Sequence, residues 1–171
     1  DAPVATGSIS NTEDELESGI SVASGLSNLL SNASDVDDAD SSLVVSEVNG
    51  ASGNVGSAVT VELTFTDADG TAQSEDVSLT VSSDGSYSIA AADLDAIPLG
   101  SDATGSFTYK IKDDSNEESA ARTATVTISG TNDAPVATGS ISNTEDELES
   151  GISVASGLSN LLSNASDVDD A

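Results

Sequence analysis

The chain has 171 residues, with 31 Asp and Glu against three Lys and Arg and no His, a formal net charge of −28. Such a polyanion repels nucleic acid and anionic membrane surfaces, and no apolar run approaches the ~18–20 residues that span a bilayer. Lacking His and Cys, it cannot build a Ser-His-Asp triad, a Cys nucleophile or an ordinary zinc, haem or iron–sulfur site, which leaves a hard cation as the obvious partner.

Read along the chain, Asp1-Ala2-Pro3 suggests a piece cut from a longer protein, and no segment reads as a signal peptide. A first strand is expected over Val4–Ile9, followed by the acidic group Glu13-Asp14-Glu15. Leu26, Leu29 and Leu30 stand at i, i+3 and i+4, which predicts a short helix over Ser24–Ser31. Asp35, Asp37, Asp38 and Asp40 come next, and Leu43–Val48 is a second strand. Val59, Val61, Leu63 and Phe65 then alternate with Thr60, Glu62, Thr64 and Thr66, the mark of a strand with one buried face. Asp69-Gly70 turns the chain into a strand carrying Val77, Leu79 and Val81, and Asp84-Gly85 turns it again into Tyr87 and Ile89. Phe107, Tyr109 and Ile111 alternate with Thr108, Lys110 and Lys112. Ala124, Val126 and Ile128 close the series. About seven short strands separated by turn signals predict an all-β antiparallel sandwich of immunoglobulin-like or cadherin-like form with one short helix.

Residues 1–39 recur without change as residues 133–171. The period of 132 is too long for a solenoid repeat and suits an autonomous domain. Residues 1–132 therefore read as one complete unit, and 133–171 as the opening of the next identical one. High net charge with few aromatic residues is also a signature of disorder. The period-two strands argue for a fold whose stability depends on a neutralising cation.

The carboxylates gather at strand ends: Glu13 and Glu15; Asp35, Asp37, Asp38 and Asp40; Asp67 and Asp69; Asp113 and Asp114 with Asn116; and Asn132 with Asp133. Calcium takes roughly six to eight oxygen ligands from carboxylates, amides and carbonyls, and acidic loops supply them. Four carboxylates within Asp35–Asp40 repel one another without a counter-ion. Asp84-Gly85 alone reads as an ordinary turn, and Asp67/Asp69 and Asp113/Asp114 suit either role. The loop is not an EF-hand, because Ala39, Asp40 and Ser46 stand where a ligand, a glycine and a bidentate Glu are required.

Ser129-Gly130-Thr131-Asn132-Asp133-Ala134-Pro135-Val136 resembles the junction of bacterial VCBS and cadherin-like repeats, which occur in giant surface adhesins exported by type I secretion. Leu29–Asp37 resembles the acidic stretch of those repeats, and Ser83–Ser88 and Gly105–Ile111 resemble their later strands. The resemblance implies an Ig-like sandwich with calcium at domain junctions. It further implies a spacer role in a secreted, cell-surface adhesin whose target is gripped by other domains. By the same resemblance, Asn132 and Asp133 act as junction ligands. Asp167 and Asp169 of the following unit complete their site, and Glu13 and Glu15 are supplied by the preceding one.

The leading expectation is an extender module stiffened by calcium and flanked by identical repeats. A calcium-dependent module that binds a glycan or a protein is the alternative. An enzyme is the weakest expectation: carboxylate pairs could in principle act as a glycosidase acid and base, and Ser with Lys110 or Lys112 could form a dyad, but both lysines alternate with core positions and so point to solvent. All three cations are expected to offset carboxylates around the last hairpin.

Overall fold

The computed structural model describes residues 1–5, 9–14, 20–22, 28–31, 33–90, 94, 96–132, 135–137 and 165–166. Its strands are β1 (Val4–Ala5), β2 (Ile9–Asp14), β3 (Ile20–Val22), β4 (Ala33–Ser34), β5 (Val44–Val48), β6 (Ala58–Thr66) and β7 (Ala72–Val81). They continue with β8 (Tyr87–Ile89), β9 (Asp102–Lys112), β10 (Arg122–Ser129), β11 (Val136–Ala137) and β12 (Ala165–Ser166). The chain is all-β, as the period-two alternation predicts. Helical structure among the described residues is confined to single 3₁₀ turns at Asp40–Ser42 and Ser52–Asn54.

The alternation has the expected cause. On β9, Ala103, Gly105, Phe107, Tyr109 and Ile111 are buried while their neighbours face outward or stay half-exposed. On β6, Val61, Leu63 and Phe65 do the same. These side chains meet Val77, Leu79 and Val81 of β7 and Ala124, Val126 and Ile128 of β10 in one apolar cluster. All four aromatic rings of the chain belong to that cluster.

The sandwich is hinged on β9, the longest strand at 11 residues. β10 pairs with it along one edge, from Arg122 opposite Tyr109 to Ser129 opposite Asp102. Its other edge is shared: β5 takes the far half, with Val44 opposite Lys112, and β6 takes the near half, with Leu63 opposite Gly105. One layer is thus β2-β10-β9-β5 and the other runs β6-β7-β8-β3. Gly105 lies at the seam, where a Cβ would sit 2.6 Å from Leu63 Cδ2 and 2.9 Å from the Glu62 carbonyl oxygen. Only a residue without a side chain lets β9 pass so close to β6.

Two expectations are corrected. Of the expected first strand Val4–Ile9, residues 6–8 lie outside the described residues, and its two ends have different partners: Val4–Ala5 (β1) clasps β4 in antiparallel register, and Ile9 opens β2, which pairs with β10 in parallel. Of the segment expected to be helical, residues 24–27 lie outside the described residues. Residues 28–31 form a turn, with the Ser31 amide donating to the Asn28 carbonyl at 3.2 Å. That turn docks by its apolar residue: Leu29 is buried and its amide donates to the Gly85 carbonyl at 3.1 Å.

Candidate functional site

Strand registers sort the carboxylates into two opposite poles. β5 begins where β9 ends, because Val44 lies opposite Lys112. Loop 35–43 and loop 113–117 therefore share one end of the sandwich, the upstream pole. Asp1 joins them, its amino group 2.7 Å from Asp37 Oδ2. The turn at Ser83 and Asp84 also lies there, since the Val45 amide donates to the Ser83 carbonyl at 2.8 Å. An open depression of about 380 Å³ lies between the two segments, lined by Asn28, Leu30, Asp40, Leu43, Ser83 and Asp84 among others. The tip of the acidic loop carries Val36, 86% exposed.

β6 ends where β9 begins, with Thr64 opposite Thr104. The hairpin holding Asp67 and Asp69 thus belongs to the downstream pole, with Asp102 and the departing residues Thr131 and Asn132. The parallel pairing of β2 with β10 brings Glu13 and Asp14 to this end, opposite Ile128 and Ser129. Of the remaining sequence candidates, Glu15, Asp133, Asp167 and Asp169 lie outside the described residues, as does the side chain of Glu13.

The upstream acids are crowded. Asp35 Oδ1 accepts from the amides of Asp37 at 2.8 Å and Asp38 at 3.2 Å, and the Asp37 amide leads in holding its pKa below the ordinary value. Its other oxygen, Oδ2, is buried with no hydrogen-bond partner. The Asp35 amide in turn donates to Asp40 Oδ1 at 3.3 Å. Asp38 is pushed the opposite way: desolvation first, then the charges of Asp114, Asp113 and Asp35, raise its pKa above the ordinary value. Asp113 is 3% exposed, and its Oδ1 accepts from the Glu117 amide at 2.8 Å.

A divalent cation suits this donor set. It would give the orphaned Asp35 Oδ2 a partner and relieve the repulsion at Asp38. Among the described residues, no three acidic side chains yet converge as a metal-holding group. The carboxylates share a pole without being drawn onto a common point.

Downstream, neutral donors satisfy the acids. Asp67 takes the Gln73 side-chain amide and the Thr71 backbone amide, each at 2.7 Å, and Gln73 leads in lowering its pKa. Asp102 Oδ1 accepts from Ser129 Oγ at 2.7 Å. At the upstream pole Asp84 is satisfied in the same way, by the Ser86 hydroxyl at 2.6 Å and the Ser86 amide at 3.0 Å.

Asp114, named with Asp113 in the sequence, is the leading like-charge neighbour of Asp38. Asp102, which the sequence pattern does not single out, joins the downstream pole by lying opposite Ser129, and strand pairing is the signal that finds it. The cations divide their work differently from the expectation. Lys110 Nζ does meet carboxylates, Glu47 at 2.9 Å and Glu118 at 3.3 Å. Lys112 donates to Asn116 Oδ1 at 3.3 Å, and Arg122 Nε to the Ala5 carbonyl at 2.7 Å, pinning β1 to the body.

With Phe65, Tyr87, Phe107 and Tyr109 all buried, no aromatic ring is presented for stacking against a sugar. Compared with models of known protein families and with curated proteins, the chain has no match.

Proposed function

We propose that residues 1–132 are one bead of a tandem array, and that calcium bound at its acidic poles stiffens the joints between beads. The observation that carries this reading is the disposition of the chain ends. Asp1 lies at the upstream pole and Asn132 leaves from the downstream one, so successive units follow one another end to end. The exact recurrence of residues 1–39 as 133–171 then brings a second copy of the acidic stretch, with Asp167, Asp169 and Asp170 in the places of Asp35, Asp37 and Asp38, toward the downstream pole of the unit before it.

Asp35, Asp37, Asp38, Asp40, Asp113 and Asp114 would hold the ion within a unit. Asn132, Asp133, Asp167 and Asp169 would bridge the joint, with Glu13 and Glu15 facing them from the earlier unit. When bound, calcium supplies positive charge and a shared coordination sphere, and the protein supplies the oxygens. Extracellular calcium modules bind at about 10⁻⁴–10⁻³ M. Such an array would stay loose where calcium is scarce and stiffen outside the cell. This suits a spacer in a secreted surface adhesin whose other domains grip the target.

The test is thermal melting of the full chain by circular dichroism, in EDTA and then in millimolar calcium. At ten times the dissociation constant, linkage adds about 1.4 kcal/mol, or roughly 3–8 °C. Magnesium at the same concentration should give less, because it sheds its water reluctantly. Identical melting in EDTA and calcium would overturn the reading.

A further inference from the structure

β2 and β10, near the two ends of the unit, lie side by side and run the same way. β2 pairs with β10 alone among the described strands, in parallel, at six consecutive positions from Ile9 opposite Ala124 to Asp14 opposite Ser129. Both strands run from the upstream pole to the downstream one, because β10 ends with Ser129 opposite Asp102, where β9 begins. The chain therefore reaches β2 from the upstream pole and leaves β10 at the downstream pole. On its other side β10 is fixed to β9 by eight pairs, from Arg122 opposite Tyr109 to Ser129 opposite Asp102. Its exit is tied as well: the Gly130 amide donates to the Ser101 carbonyl at 2.9 Å, and the Gly130 carbonyl accepts from the Gly100 amide at 3.3 Å. Ahead of β2, Arg122 Nε grips the Ala5 carbonyl at 2.7 Å, and β1 adds two pairs with β4.

We infer that the β2–β10 pair is a force-bearing clamp, which keeps each unit folded when an array of them is pulled taut. The inference rests on the end-to-end arrangement proposed above and not on its calcium. Tension along the array drags β2 toward the upstream pole and β10 toward the downstream pole, so the two strands are pulled past each other along their own axes. The hydrogen bonds of a parallel ladder are evenly spaced, and here they extend over about 17 Å. All are strained together, and none yields before the others. Antiparallel neighbours would behave differently. The start of one would lie beside the end of the other, and the same pull would open the ladder one pair at a time. Forced unfolding follows the barrier along the pulled direction and not the equilibrium stability. A chain that repels itself at a net charge of −28 can thus be mechanically firm without being thermally so. β9 and the Gly130 bonds hold β10 in place, which leaves the β2–β10 ladder as the seam that must shear.

The experiment pulls single molecules of the full chain between two handles in optical tweezers. The chain has no Cys, so two introduced cysteines fix the direction of pull. Ala2→Cys/Thr131→Cys loads the pair in shear, whereas Asp14→Cys/Thr131→Cys peels β2 from β10 starting at their shared downstream end. Shear should need at least about twice the force of peeling, since six pairs resist together instead of one after another. In the shear direction, Asn11→Pro/Thr12→Pro removes a ladder donor from β2 and should lower the force toward the peeling value. Val77 is buried in the layer that the tension does not cross. Val77→Ala should lower the melting temperature yet leave the shear force nearly unchanged. Equal forces in the two directions would overturn the inference, as would a shear force that drops as far with Val77→Ala as with the proline pair. The shear force should persist in EDTA. Its loss there would transfer the load to the cation and overturn the clamp while leaving the calcium reading intact. Melting that calcium does not move, with the shear force retained, would support the clamp and overturn the calcium reading alone.

Discussion

The two poles of this sandwich are built from similar residues and obey different physics. Downstream, Asp67 and Asp102 each face a neutral donor within 2.7 Å, so each charge is stabilised where it stands. Upstream, Asp38 faces Asp114, Asp113 and Asp35, and Asp35 Oδ2 is buried without a partner. A count of acids does not distinguish these ends; what each carboxylate faces does. A satisfied carboxylate is an ordinary turn residue, whereas a desolvated one held among like charges gains from a cation. The comparison makes the upstream pole the stronger candidate for the calcium response, and it is open to being broken.

The largest expected effect comes from the downstream pole and tests whether the ends are separable. Gly130 packs so tightly that a Cβ would overlap the Pro98 carbonyl oxygen and lie 2.6 Å from the Ile97 carbonyl oxygen. Because both obstacles are backbone, Gly130→Ala must displace the end of β10 or the 97–100 turn, at a cost of about 1–3 kcal/mol. Denaturant titration should register that loss equally in EDTA and in calcium. If the substitution also abolished the calcium increment, the two poles would be one coupled unit and the contrast between them would fail.

Asp38→Asn is expected to have a smaller effect, and one that changes sign. In EDTA it removes a charge from a repelling group, so melting should rise by a few degrees. In calcium it removes a ligand, so the increment should shrink. The pH dependence follows from the same geometry. The raised pKa of Asp38 means that the folded state holds its proton more tightly. Its contribution is present at low pH and is lost as pH rises through the folded value, above 3.8. Asp35, Asp67 and Asp84 have lowered values, so their contribution is present above 3.8 and is lost as pH falls through the folded values. Calcium-free protein should therefore gain stability on mild acidification and lose it on stronger acidification. A melting temperature that falls steadily from neutral pH downward would contradict the upstream crowding.

Much of the fold was legible because local pattern decides it. The alternation of Val59 to Phe65 became β6, Asp69-Gly70 and Asp84-Gly85 became hairpin turns, and every aromatic ring went inward. What was not legible depends on partners distant in sequence. The parallel seat of β2 on β10 has no local signature, and neither does the sharing of β9 between β5 and β6. Arg122, expected near a carboxylate, meets a carbonyl 117 positions away. The candidate site was half legible for the same reason. Spacing picked out the crowded loop Asp35–Asp40, but only strand register separates Asp113, which joins it, from Asp67, which lies at the other end.

The smallest expected effect is the most direct check on reading function from what a carboxylate faces. Asp67 has the sequence appearance of a calcium ligand, two residues from Asp69 in an acidic turn. Its hydrogen bonds to Gln73 and Thr71 already use both carboxylate oxygens and fix the hairpin. Asp67→Asn keeps a carbonyl oxygen to accept from Thr71 and gives up a charge that no nearby cation shares. Its pKa lies below the ordinary value, so neutralising it should cost a little stability near neutral pH, within a degree or two of melting temperature. The cost should be the same in EDTA and in calcium. A substitution here that lowers calcium affinity as much as Asp38→Asn would move the cation to the downstream pole, and local hydrogen-bond satisfaction would then be a poor guide to which acids of this chain bind metal.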